Sequence, residues 1–190
     1  MSHAEDAADA RLAKGGDRDA FARLVQRYTR RVHDLARRML RDPHEAEDVV
    51  QHAFWNAWRA MERFDPERPF RNWLLRIASN LCRNRLASRK RRPEIAPKGG
   101  DEPRPDIEAP EARAPRGPAR DLAEAIESLP ELYRLPILLH YQHDLPLDQI
   151  AAITGTPVAT VKTHLHRGRA RLRALLDPTE THDDDGGTDG

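Results

Sequence analysis

The chain has 190 residues, with 32 Lys and Arg against 31 Asp and Glu, 38% hydrophobic residues and 5% aromatic ones, a length that suits one modest domain or two small ones. No stretch approaches the roughly eighteen uninterrupted apolar residues of a membrane span, and Glu5, Asp6 and Asp9 stand where a signal peptide would carry a basic start and an apolar run. The single cysteine, Cys82, can form no internal disulfide and has no Cys or His at metal-ligand spacing, so disulfide scaffolds and zinc modules are excluded and a reducing cytoplasm is the expected compartment.

Residues 1–16 are rich in Ala and Asp, end in Gly15-Gly16 and are expected to be a flexible N-terminus. From Asp17, Phe21, Leu24, Val25, Tyr28, Val32, Leu35, Ala36 and Met39 recur at three- and four-residue steps, which predicts a long amphipathic helix. Asp42-Pro43-His44-Glu45 reads as a capping box with proline at the first helical position, opening a helix that carries Ala46, Val49, Ala53, Phe54, Ala57 and Trp58 on one stripe. After a turn over Phe64–Pro69, Phe70, Trp73, Leu74, Ile77, Ala78 and Leu81 repeat the spacing into a third helix that ends near Pro93. These helices make a first domain over 17–92.

Seven of the fifteen prolines lie in 93–119, beside Gly99, Gly100 and Gly117 and with only Ile95 and Ile107 as large apolar residues, so this segment reads as a flexible Pro-rich linker. A second helical domain follows over 120–177. Asp121 is expected to cap a helix carrying Leu122, Ala125, Ile126 and Leu129, and another is expected from Pro130 to about His143, kinked or delayed by Pro136. Residues 178–190 form an acidic tail, read as solubilising disorder in preference to a mask over the basic helix that precedes it. The fold class expected is therefore all-α, two small helical domains on a linker.

Charge is segregated along this plan. Residues 63–92 hold ten basic side chains against Asp65 and Glu67, a local +8, and residues 155–176 hold five and no acid, two footprints suited to a polyanion. Asp42, Glu45, Glu47 and Asp48 concentrate the opposite sign at the start of the second predicted helix. The segment Leu147–Arg167 has the layout of a helix-turn-helix: Ala151 is small where two helices approach, Gly155 can take the left-handed turn, Thr156 and Pro157 start the second helix, and Val161 seats it. Its polar face would present Lys162, Thr163, His166, Arg167 and Arg169 to base edges and phosphates in a major groove, the alternative being a basic, solvated hairpin.

Four segments in order carry a resemblance: Asp19–Tyr28, Ala46–Phe54, Phe70–Asn80 and Thr160–Arg167. Together they resemble the two-domain bacterial sigma factors of the extracytoplasmic-function type, group IV of the sigma-70 family. The resemblance implies a first domain similar to sigma region 2, which grips core RNA polymerase and reads the minus-ten promoter element, and a second similar to region 4, which reads the minus-35 element. It implies core contacts at Glu47, Asp48, Gln51 and Phe54, and minus-ten contacts at Arg71, Arg76, Asn80, Arg83 and Asn84. It implies minus-35 contacts at Thr160, Lys162, Thr163, His164, His166 and Arg167. Its implied partners are core polymerase, promoter DNA and an anti-sigma factor, with no cofactor.

Three positions depart from the family pattern: His52 where Glu is common, His164 where Arg is common, and Pro146 where a Ser or Thr cap is common. An arginine can hold guanine bidentately and a histidine cannot, so His164 predicts an altered minus-35 preference. Trp58 and Trp73 fall on apolar stripes and read as core, while Trp55 lies off its stripe, leaving packing on a neighbour or contact with polymerase or DNA open. His140, His143, His164 and His166 form no pair with supporting carboxylates, so no metal site is expected. The chain lacks a Gly-rich phosphate loop or a nucleophile with a base at usable spacing, so no enzymatic activity is expected. The main alternative is a stand-alone helix-turn-helix regulator whose N-terminal domain dimerises.

Overall fold

The structure is a computed structural model that describes residues 3–91 and 118–176. Residues 93–117 of the expected linker (93–119) and the acidic tail lie outside the described residues, and the last two positions of that linker, Pro118 and Ala119, instead begin a helix. Eight α-helices and no strand occur among the described residues: α1 (His3–Lys14), α2 (Arg18–Leu40), α3 (Pro43–Arg59), α4 (Phe70–Arg91), α5 (Pro118–Ser128), α6 (Glu131–Ile137), α7 (Leu147–Thr154) and α8 (Val158–Leu176).

Helix α2 is the axis of the first domain. Asp17 caps it by accepting from the Asp19 and Ala20 amides, and its inward stripe of Leu24, Tyr28, Val32, Leu35 and Met39 packs against α3 and α4. Asp42 caps α3 through the Glu45 amide with Pro43 at the first position; Glu45 itself turns away to Arg89, 3.2 Å from its Nε, so the box is half-formed and its acid instead ties α3 to α4. Phe64, Phe70 and Trp73 stack on one another at centroid distances of 4.8–5.7 Å, closing the lower core beneath the turn Met61–Arg63.

Residues 3–14 differ from the sequence expectation of a flexible end. They form α1, which packs on α2 with Ala10 and Ala13 buried. Its apolar stripe is too thin to register as periodicity, because ion pairs do the matching. Arg23 Nη2 lies 2.7 Å from Asp9 Oδ1, Arg27 Nη2 3.0 Å from Asp9 Oδ2, and the Tyr28 hydroxyl donates to Asp6. Burial alone would raise the Asp9 carboxyl, but the hydrogen bonds from Arg23 and Arg27 outweigh it and hold it below the usual carboxylate range.

In the second domain, α5 begins at Pro118, so Asp121 falls in its first turn and not at the position before it. Pro136 sits inside α6, and the chain answers by widening into a π-helical turn over Leu138–Gln142, closed by the His143 amide on the Leu138 carbonyl at 3.2 Å. Helix α7 ends at Gly155, whose φ of 71° is the left-handed turn, and α8 starts at Val158, one residue beyond Pro157. Helix α8 crosses α6 at Gly168, where an added Cβ would stand 3.0 Å from Ile137 Cγ1 and 3.4 Å from Tyr133 Cβ. Gly168→Leu should therefore overpack this crossing and destabilise the second domain by about 1–3 kcal/mol, read as a lowered denaturation midpoint.

Candidate nucleic-acid and partner interfaces

The outer face of α3 is built by 100° per residue. Ala46, Val49, Ala53 and Ala57 turn inward and are fully buried, which leaves Asp48, Gln51, His52 and Trp55 exposed on the opposite side. Trp55, at 61% exposure, stands at the middle of that face, whereas Phe54 is 7% exposed and packs edge-on against Phe21 at 6.5 Å. Phe54, grouped with the contact residues in sequence, is thus a core residue, and its neighbour Trp55 is the aromatic presented to solvent. Glu47 is exposed at the flank. Asp48 is joined to α4 by Arg85 at 3.3 Å.

Helix α4 divides its cations between two tasks. Arg85 and Arg89 turn towards α3 and its acids, and Arg89 also donates to the Leu40 carbonyl at 3.0 Å. On another stripe lie Asn72, Arg76, Asn80 and Arg83, with Asn84 exposed beside them. Arg83 Nη2 donates to Asn80 Oδ1 at 2.6 Å, which fixes the amide instead of leaving it to face water alone. Next to this stripe a cavity of about 410 Å³ is lined by Phe64, Trp73 and Asn72 with Arg63, Arg68 and Arg76 around it. Aromatic faces, an amide and surrounding guanidinium groups match the chemistry of an unstacked base and its phosphates. Arg71 is half-buried and lines a neighbouring cavity with Arg31 and Gln149.

On α8, Val161 and Leu165 are buried while Lys162, Thr163, His166 and Arg167 are exposed, and Thr160 is half-buried at the start of the helix. The Thr163 hydroxyl donates to the Ala159 carbonyl at 3.1 Å. His164 departs from the exposed row: its ring packs edge-on against Tyr133 at 5.9 Å.

Family models match both halves of the chain, Sigma-70 region 2 over residues 24–92 and Sigma-70, region 4 over residues 119–172. The chain is 40% identical over 174 residues to the ECF RNA polymerase sigma factor SigW of Bacillus subtilis, covering 86% of this chain and 92% of that one. The chain belongs to the extracytoplasmic-function sigma factors. It is 36% identical to the RNA polymerase sigma-H factor of Pseudomonas aeruginosa, over 86% of this chain and 89% of that one. Among solved structures it is similar to CnrH in complex with the cytosolic domain of CnrY, with a TM-score of 0.69, 29% identity, and coverage of 93% of this chain and 99% of that one.

The sigma factor therefore directs promoter-specific transcription, and the stand-alone regulator is not favoured. Sequence reasoning missed the residues that join its domains. Asn72 Nδ2 donates to Gln149 Oε1 at 2.9 Å, Arg83 Nη1 to the Thr154 carbonyl at 3.3 Å, and Arg134 Nη1 to the Met39 carbonyl at 2.8 Å. No periodicity signals such pairs, because they join residues 71 to 95 positions apart. Among the described residues no cluster of His, Cys, Asp or Glu could hold a metal ion, and no helix is long and apolar enough to cross a membrane.

Cys82 is fully buried, and burial pushes its thiol up to about 12. A maleimide added to the folded sigma factor near pH 8 should leave Cys82 unmodified, while addition in denaturant should label one thiol per chain, counted by mass spectrometry.

Proposed function

We propose that the outer face of α3 docks on core RNA polymerase, that α4 and the turn before it read the minus-ten element, and that α8 reads the minus-35 element from the major groove. On this reading Asp48, Gln51 and Glu47 supply the polar contacts to core, and Trp55, in place of Phe54, supplies the central apolar one. Arg76, Asn80, Arg83 and Asn84 face the minus-ten strand with Arg71 on the flanking phosphates, and the cavity at Phe64 and Trp73 receives an unstacked base. Lys162, Thr163, His166 and Arg167 meet the minus-35 duplex, with Thr160 at the helix start. The observation that carries the reading is that the two segments matched to sigma regions each present a separate row of cationic and amide side chains, one on α4 and one on α8.

The same reading places the sigma factor in the cytoplasm with its polymerase and makes it a regulator, not a catalyst. An anti-sigma factor as its restraining partner is supported by its likeness to CnrH, which was solved with the cytosolic domain of CnrY.

Abortive initiation from a promoter library with purified core polymerase tests the whole assignment: initiation at a defined subset of promoters only when the chain is added supports it, and core-independent tight binding to duplex DNA without initiation overturns it. Trp55→Ala should weaken core binding by about 2 kcal/mol or more, roughly 30-fold in Kd by titration, the scale of a central aromatic contact. Lys162→Ala and Arg167→Ala should lower initiation and flatten its salt dependence if they meet phosphates. His164→Arg should shift preference at one minus-35 base pair by about 1–3 kcal/mol; an unchanged preference removes His164 from the reading set.

A further inference from the structure

Helix α1 lies ahead of the segment matched to Sigma-70 region 2, which begins at residue 24, yet it carries two sets of charges at helical spacing with different targets. Asp6 and Asp9, three residues apart, face α2, where Arg27 holds both, Arg23 holds Asp9 and the Tyr28 hydroxyl donates to Asp6. Arg11 and Lys14, again three apart and in the last turn, reach instead to the loop between α3 and α4. Arg11 Nη2 lies 2.7 Å from Glu67 Oε1, and Lys14 Nζ donates to the Phe64 carbonyl at 2.9 Å.

The angle between α1 and α2 is set by the backbone that joins them. The Gly16 amide donates to the Ala13 carbonyl at 3.0 Å and the Asp17 amide to the Leu12 carbonyl at 3.1 Å, the paired bonds that close a helix through a left-handed residue. Gly16 takes that left-handed place at φ 95°. Asp17 then caps α2 with its side chain, so one residue closes α1 and opens α2 with no slack between them. Lys14, the last residue of α1, is thereby carried to a fixed point beside Phe64.

The two ties to the loop differ in weight. Arg11 and Glu67 keep 56% and 78% of their side-chain surface in solvent, and an ion pair that exposed contributes little. The Lys14 bond is part-buried and charge-assisted, and it meets a backbone atom, so it fixes the course of the chain itself. Phe64 is 2% exposed, its ring lies 4.8 Å from Trp73 and 5.6 Å from Phe70, and with Trp73 it lines the cavity of about 410 Å³. A shift of the Phe64 backbone therefore moves one aromatic wall of that cavity. Asp65 adds a bond from the Glu67 amide, but this lies within the loop and does not place the loop against the helices.

We propose that Lys14 is a positioning residue for minus-ten recognition: by holding the Phe64 carbonyl it sets the shape of the cavity that receives the unstacked base, which makes α1 part of the reading surface. This rests on the proposed placement of minus-ten reading on α4 and the turn before it. Lys14 acts through Phe64, so it governs which base fits and leaves the attraction of the arginines for phosphate as it is.

The test uses holoenzyme assembled from core polymerase and the full chain, with abortive initiation measured on a matched promoter and on its single-base variants at both elements. Lys14→Met keeps an aliphatic stem and removes the donor, Lys14→Arg supplies a donor again, and Arg11→Gln breaks only the exposed pair. The expected result is that Lys14→Met lowers discrimination at one minus-ten position by about fivefold or more, while minus-35 discrimination, core affinity and the salt dependence of initiation stay as they are. Lys14→Arg should recover most of the loss, and Arg11→Gln should stay within about twofold of the unaltered chain. Discrimination retained in Lys14→Met overturns the inference, as does a loss spread evenly over both elements, which marks a damaged fold. A salt slope lowered by about one also overturns it, because Lys14 then meets a phosphate directly. Asn80→Ala separates this role from the reading beneath it. A shifted minus-ten preference there, with none in Lys14→Met, leaves the reading standing and removes the positioning role; no shift in Asn80→Ala removes the reading and the inference with it.

Discussion

The C-terminal end of α2 lies beneath the second domain, and the carbonyls it leaves without intrahelical donors govern how the chain is assembled. Arg41, in the left-handed conformation at φ 61°, returns its amide to the Arg37 carbonyl; Arg89 of α4 reaches the Leu40 carbonyl; Arg134 of α6 reaches the Met39 carbonyl. Two of these donors belong to the first domain and one to the second. The Arg134 guanidinium donates to the backbone carbonyls of Leu129 and Met39, and burial, then Arg41, lowers its proton affinity. It is tolerated because three charge-assisted hydrogen bonds and the negative ends of two helices surround it. When the domains part, water can take over at Met39, so the joint is reversible in a way that a buried apolar seam would not be.

What could be read in the sequence was what repeats along it. Helices α2, α3 and α4 are legible because their inward residues are large and regularly spaced, and the caps Asp17 and Asp42 stand where the spacing begins. Helix α1 is not, because Ala10 and Ala13 give a weak stripe and its fit comes from carboxylates matched to arginines on another helix. Pro136 advertised a disturbance without saying that the chain would widen into a π turn. Phe54 and Trp55 show the limit most sharply: one residue is 100° of rotation, and only the packing of Phe21 decides which ring is inside.

Charge counts along the chain were a coarser guide to the interfaces than to their existence. Of the ten cations between Arg63 and Arg92, Arg85 and Arg89 are engaged with α3, so the footprint offered to DNA is smaller than the local +8 suggests. The acids at the start of α3 are likewise partly spent on α4: Glu45 is taken by Arg89, and Asp48 is shared between Arg85 and solvent. Helix α4 thus serves as a strut on one side and presents the row Arg76, Asn80 and Arg83 on the other, which couples the acidic face of α3 to that row through a single rigid element.

The contact between the two domains is made by few hydrogen bonds of mixed quality. Asn72 uses its amide nitrogen on Gln149 while its Oδ1 finds no protein partner, and neither Gln142 Oε1 nor His143 Nε2 has one. Each buried polar atom left without a partner forgoes about 1–3 kcal/mol that water would supply on opening. The first domain, by contrast, is sealed by the full apolar stripe of α2 and by the paired charges of α1. Any partner that separates the two domains must bind the separated arrangement better than the packed one, because equal affinity for both leaves the balance where it stands.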